Sequence, residues 1–218
     1  MWRRSLGVSY AIPASPIRWG TVWFVIIQRP RSGTLNRNDY FETGLDLLAE
    51  GGIPAQTIAN LCERLGITKG SFYHHFKSLG DFRQQLLAFW EAGQETALGA
   101  TSIEASAEWV TPANHPINAA VRAWAQSDES AAAAQGRVDA LRLKVVSKEL
   151  RAVGLAADRA RALANLGLAI LIGAQQAGAG WDRKTRRGLV EEYERAVGAA
   201  VAEAQSAKPV KPAARKKA

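Results

Sequence analysis

Between residues 41 and 90 apolar positions recur at helical spacing, in short stretches separated by glycine and small polar residues. Phe41, Gly44, Leu45 and Leu48 mark one face of an amphipathic helix that Gly51-Gly52 closes. Ile58, Leu61, Cys62 and Leu65 follow the i, i+3, i+4, i+7 pattern, with Thr57 as N-cap and Gly66 as the break. Thr68 then caps a third helix, its hydroxyl placed to accept from the N–H of residue 70 or 71. Ile67 and Phe72 have the spacing of a hydrophobic staple, and Phe72 and Phe76 lie one turn apart on a buried face. Ser78 and Asp81 resemble a capping box opening a fourth, longer helix with Phe82, Leu86, Phe89 and Trp90 on one side. The second and third helices, joined by a tight turn at Gly66, make a helix-turn-helix.

The third helix carries the informative chemistry. Projected at about 100° per residue, its outer face holds Gly70, Ser71, Tyr73, His74 and Lys77. That face is small at its start and then aromatic, donor-rich and cationic. It suits a helix whose first turn enters a DNA groove while later residues grip phosphate. Adjacent His74 and His75 point in different directions and form no i, i+4 metal pair. With Cys62 the single thiol and His115 expected in a loop, neither a metal nor a cofactor is expected. No Gly-rich phosphate loop, Ser-His-Asp order or carboxylate pair suggests an enzyme.

Residues 36 to about 95 resemble the DNA-binding domain of the TetR family of transcriptional repressors, through the Thr57-to-Gly66 helix, the string Ile67-Thr68-Lys69-Gly70-Ser71-Phe72-Tyr73-His74-His75-Phe76, and Asp81. The resemblance implies that Lys69, Gly70, Ser71, Tyr73, His74 and His75 belong to the recognition helix, with Tyr73 on a backbone phosphate. Thr57, Thr68 and Lys77 complete the expected DNA-binding set. Many members carry Lys at the position of Leu79, where it approaches DNA; here Lys77 is the nearest substitute. Cys62 fills a position usually taken by Ala, which fits a core role.

A second helical region follows, with stripes through Ile117, Val121 and Trp124; through Val138, Leu141, Val145, Val146, Leu150 and Val153; and through Leu163, Leu166, Ile170, Leu171 and Ala174. A last helix carries Leu189, Val190, Tyr193, Val197 and Val201. Ala120 to Ala125, with Asp139 and Arg142 downstream, resemble the regulatory domain of one TetR subgroup, extending the likeness over about three-quarters of the chain. Trp90, Trp109 and Trp124 are candidates to line a ligand cavity, and aromatics at this spacing serve equally as plain core. Leu163, Leu166, Ile170, Leu171, Leu189, Tyr193 and Val197 are candidates for a four-helix dimer seam, in which small Gly167 and Ala174 permit close approach.

Charge sits at the ends. Residues 1–35 hold five arginines and no acid, residues 206–218 hold five cations, and the net charge is +8, which leaves the body at −2. The high isoelectric point is therefore no argument for DNA binding. The apolar run Val22 to Ile27 is far short of the roughly 18 residues a membrane span needs. Arg18 and the Gln28-Arg29-Pro30-Arg31 sequence also make a poor secretory signal. A single Cys excludes an internal disulfide and fits a reducing, cytoplasmic compartment.

The expected architecture is all-α: an N-terminal extension (1–35) that is disordered or begins at a start codon placed too far upstream, a helix-turn-helix domain (36–82), a helical regulatory and dimerisation domain (83–205), and a basic disordered tail (206–218). That tail adds attraction to phosphate or merely aids solubility. The implied activity is that of a ligand-responsive repressor, a homodimer binding a pseudo-palindromic DNA operator and an unidentified small-molecule effector, with no membrane partner. The alternative is a helical scaffold whose helix-turn-helix no longer binds an operator.

Overall fold

The computed structural model describes residues 35–99, 115–177 and 180–206, which form eight α-helices and no strand among the described residues. In chain order these are α1 (Arg37–Ala55), α2 (Ile58–Leu65), α3 (Lys69–His75), α4 (Leu79–Gly99), α5 (His115–Trp124), α6 (Glu129–Ala152), α7 (Ala157–Gln176) and α8 (Arg183–Ser206). Trp109 and both basic tails lie outside the described residues. His115 opens α5 and is not in a loop. None of the helices described is long and apolar enough to cross a membrane.

The N-terminal helices close on a cluster of rings. Phe72, Phe76 and Phe82 are fully buried, with centroids 5.2 Å apart for Phe72–Phe76 and 5.1 Å for Phe76–Phe82, and Phe41 stacks on Phe82 at 6.0 Å. These separations are in the range where edge and offset ring contacts add to area burial. Gly44 lets α4 approach α1: a Cβ there would stand 2.6 Å from Phe82 Cζ. The helix starts follow from local chemistry. Asn36 caps α1 in a full capping box, accepting from the N–H groups of Asn38 and Asp39 while Asp39 accepts from Asn36 N. Ser78 Oγ likewise accepts from Asp81 N at 3.0 Å.

The far end of α1 is tied to α4. The helix kinks at Gly52, and its carbonyls need partners outside it. Arg83 of α4 donates to the carbonyls of Ile53 and Gln56, while the buried Gln56 side chain donates back to the Gly44 carbonyl at 2.9 Å. Hydrogen bonds as well as packing thereby join α4 to the end of α1.

The core then continues without a break through Leu86, Trp90, Val121, Trp124, Ala131, Ala134 and Val138. One apolar body therefore spans the helix-turn-helix and the helices that follow it, with α4 contributing to it along much of its length. A second cluster, Leu150, Leu155, Ala160, Leu163, Val197, Ala200 and Val201, joins α6, α7 and α8. Gly167 lies under the Tyr193 ring and Gly173 under Trp181.

Candidate nucleic-acid interface

The turn between α2 and α3 is built from caps. Thr57 Oγ1 accepts from Asn60 N at 3.1 Å and opens α2. Gly66 ends it at φ +69°, a left-handed conformation that favours glycine. The N–H of Ile67 then satisfies the Cys62 carbonyl at 2.9 Å. Thr68 Oγ1 accepts from Ser71 N at 3.2 Å and opens α3. Phe72 anchors the inner face of α3, and the outer face is left to solvent.

On that outer face Thr68, Lys69, Gly70, Tyr73 and His74 are exposed, with Lys77 following just beyond the helix. Tyr73 is 55% exposed, an unusual placement for a large aromatic ring with an apolar core adjacent. Two expected members turn inward. Ser71 Oγ lies 3.3 Å from the Tyr40 hydroxyl, and the His75 ring packs 5.0 Å from the Tyr40 ring. Both are half-buried, because the first turn of α1 lies against this side of α3. Thr57 is also half-buried, with its hydroxyl engaged in the cap.

The end of α3 is held by Arg37, which the sequence did not single out, and by Asp81. Arg37 Nη2 donates to the His75 carbonyl at 2.6 Å, and its guanidinium sits 5.3 Å from the Phe76 ring centre. Asp81 Oδ2 accepts from Lys77 N at 2.9 Å. That backbone hydrogen bond, helped by the Gln85 amide, holds the Asp81 carboxyl below its usual range. Leu79 packs against the core, and Lys77 and Arg37 are exposed cations nearby.

Residues 41–82 match the family model described as bacterial regulatory proteins, tetR family. That match identifies residues 41–82 as a domain of the tetR type. The fold agrees. A transcriptional regulator from Rhodococcus sp. Rha1 superposes with a TM-score of 0.64 at 18% identity, covering 82% of this chain and 100% of that one. The reduced form of E. coli NemR gives 0.58 at 18% identity, over 73% and 95%, and Salmonella enterica GusR gives 0.57 at 13%, over 78% and 95%. No curated protein sequence matches. The tetR-type domain of this chain holds α2 and α3 as its helix-turn-helix.

Beyond the tetR-type domain the remaining candidate residues divide by burial. Trp90 is core, its Nε1 donating to Asn118 Oδ1 at 2.9 Å. Trp124 walls an open groove of about 500 Å³ between α1 and α5, together with Leu48, Gly52, Ile53, Pro116 and Ala120. On α7 and α8, Leu163, Leu171 and Val197 are buried within the chain itself, and Tyr193 leans on Gly167. Leu166 is 45% exposed, and Ile170 and Leu189 are half-buried. Those three leave an apolar stripe at the surface.

Proposed function

We propose that the protein is a homodimeric, ligand-responsive repressor that reads a pseudo-palindromic operator with one α3 helix in each of two successive major grooves. The observation carrying this reading is the outer face of α3. A ring and several donors stand in solvent on a helix whose inner face is locked into an aromatic core. Half-sites about 34–36 Å apart, or a multiple of that, follow from groove geometry. On this reading the protein works in the cytoplasm as a binding protein. An effector bound beyond α4 would act through α4 and α5, the helices packed on α1, with a coupling of about 1–3 kcal/mol.

The DNA-contact roles are separable by substitution. Tyr73→Ala and Lys77→Ala are expected to weaken binding to all sequences about equally, since phosphate contacts position without specifying. Lys69→Ala is expected to change base preference, by about 1–3 kcal/mol at the affected pair. Ser71→Ala, facing Tyr40, is expected to act mainly on stability. Binding measured over a library of operator variants checks all four; relaxed preference at a single base in Tyr73→Ala would overturn the assignment. Uniformly weak binding of the unaltered protein to every DNA would favour the scaffold reading.

A further inference from the structure

A polar cluster lies buried where α4, α5, α6 and α7 meet, away from the DNA-reading face. Arg122 of α5 forks onto Asp139 of α6, with Nη1 and Nη2 at 2.8 and 2.9 Å from the two carboxylate oxygens, and its Nε donates to Gln175 of α7 at 2.6 Å. Arg142 of α6 donates to the same carboxylate at 2.9 Å and to Gln94 of α4 at 2.7 Å. Gln135 Nε2 donates to Asp139 Oδ1 at 3.1 Å. Arg122 is 7% exposed, and Arg142 and Gln135 are each 5% exposed.

Two features of the cluster are incomplete. Two guanidinium groups share one carboxylate, so the assembly carries one uncompensated positive charge in a setting where unpaired charge is costly. The Gln135 Oε1 atom is buried and accepts no hydrogen bond from the described residues. Its amide cannot be turned to correct this, because the oxygen would then face the Asp139 carboxylate. A missing negative charge and a missing donor thus occur at one place. The cluster is not sealed, since the Asp139 side chain keeps 18% of its surface accessible. Burial also pushes the Arg142 guanidinium below its ordinary value despite the neighbouring Asp139, which agrees with a site short of negative charge. Alongside, Arg137 of α6 pairs with Glu91 and lies near Glu95, both of α4.

We infer that this cluster is the acid-binding end of the effector site, taking a small organic anion whose carboxylate meets Arg122 and Arg142 and whose adjacent hydroxyl donates to Gln135 Oε1. The inference rests on the ligand-responsive reading and narrows it to a hydroxy-acid type of ligand. An anion here would touch α4 and α5 at once, the two helices that pack on α1.

Thermal unfolding of the full-length protein in chloride, acetate, glycolate and uncharged glycolamide, at matched ionic strength, tests it. Glycolate above its dissociation constant is expected to raise the midpoint by about 2–4 °C, acetate by less, and glycolamide not at all. Gln135→Leu should raise the midpoint of the ligand-free protein and erase the difference between glycolate and acetate. Arg142→Gln, which removes the surplus charge, should abolish the response to both anions. Midpoints unmoved by either carboxylate, or an Arg142→Gln protein that still responds to both, would overturn the site. Carboxylate binding with unchanged operator affinity would keep the site and remove the ligand-responsive reading. No carboxylate binding, with operator release by a neutral compound, would do the reverse.

Discussion

Asp139→Ala is expected to destabilise the protein by about 3–5 kcal/mol, the loss typical of breaking a buried ion pair from one side. The substitution leaves Arg122 and Arg142 facing each other without the carboxylate that accepts from both, and it strands the Gln135 amide. The pH dependence follows from the same contacts. Burial opposes ionisation of Asp139, but the hydrogen bond and charge of Arg122, joined by Arg142, hold its carboxyl below the ordinary value of 3.8. A depressed folded-state pKa means that the stabilisation is fully present above about pH 3.8 and is lost as pH falls through the folded value. Urea unfolding of the parent and of Asp139→Asn across pH 3–7 measures it, and the difference between them should shrink only at the acid end. A loss under 1 kcal/mol in Asp139→Ala at pH 7 would show that the cluster contributes little to folding.

Ile170→Glu is expected to separate the dimer and weaken operator binding by about 10²–10⁴-fold, the gain that linking two binding modules commonly gives. Leu166, Ile170 and Leu189 remain at the surface after α7 and α8 have packed on each other. A symmetric interface across that stripe would bury each introduced carboxylate twice over, once per protomer. The recognition helix is far along the chain and its packing is unaltered, so a half-site should still be bound weakly. Light scattering on the purified variant, alongside titration of a full operator, reads both effects. A monomeric Ile170→Glu protein with parental operator affinity would remove dimerisation from the account.

The helix-turn-helix was legible because its signals are local. Thr57, Gly66, Thr68 and Ser78 act within three or four residues of themselves, and the capping bonds they make in the structure are those their spacing implies. What the sequence hid depends on partners distant in the chain. Ser71 looks outward on a helical projection until Tyr40, 31 residues earlier, meets it; Arg37 reaches the end of α3 across 38 residues. Helix α7 shows a different limit. Leu163, Leu166, Ile170 and Leu171 read as one stripe, but α6 and α8 cover Leu163, Leu171 is also buried, and Leu166 is left open. Periodicity reports that a face is apolar without reporting which neighbour covers each part of it. Asp139 and Arg142 stood out only through a resemblance; their shared link to Arg122 and Gln135 requires the fold to bring α5 onto α6.

The most direct test of the central claim is binding of the full-length protein to the DNA upstream of its own gene, titrated over salt and read by footprinting. The account predicts a two-fold symmetric footprint with half-sites one helical turn or a multiple apart, and a logarithm of affinity that falls steeply and linearly with the logarithm of salt. Tyr73→Ala should weaken that binding without shifting the footprint. Binding without sequence preference, or a symmetric footprint unaffected by any substitution on the exposed face of α3, would contradict it.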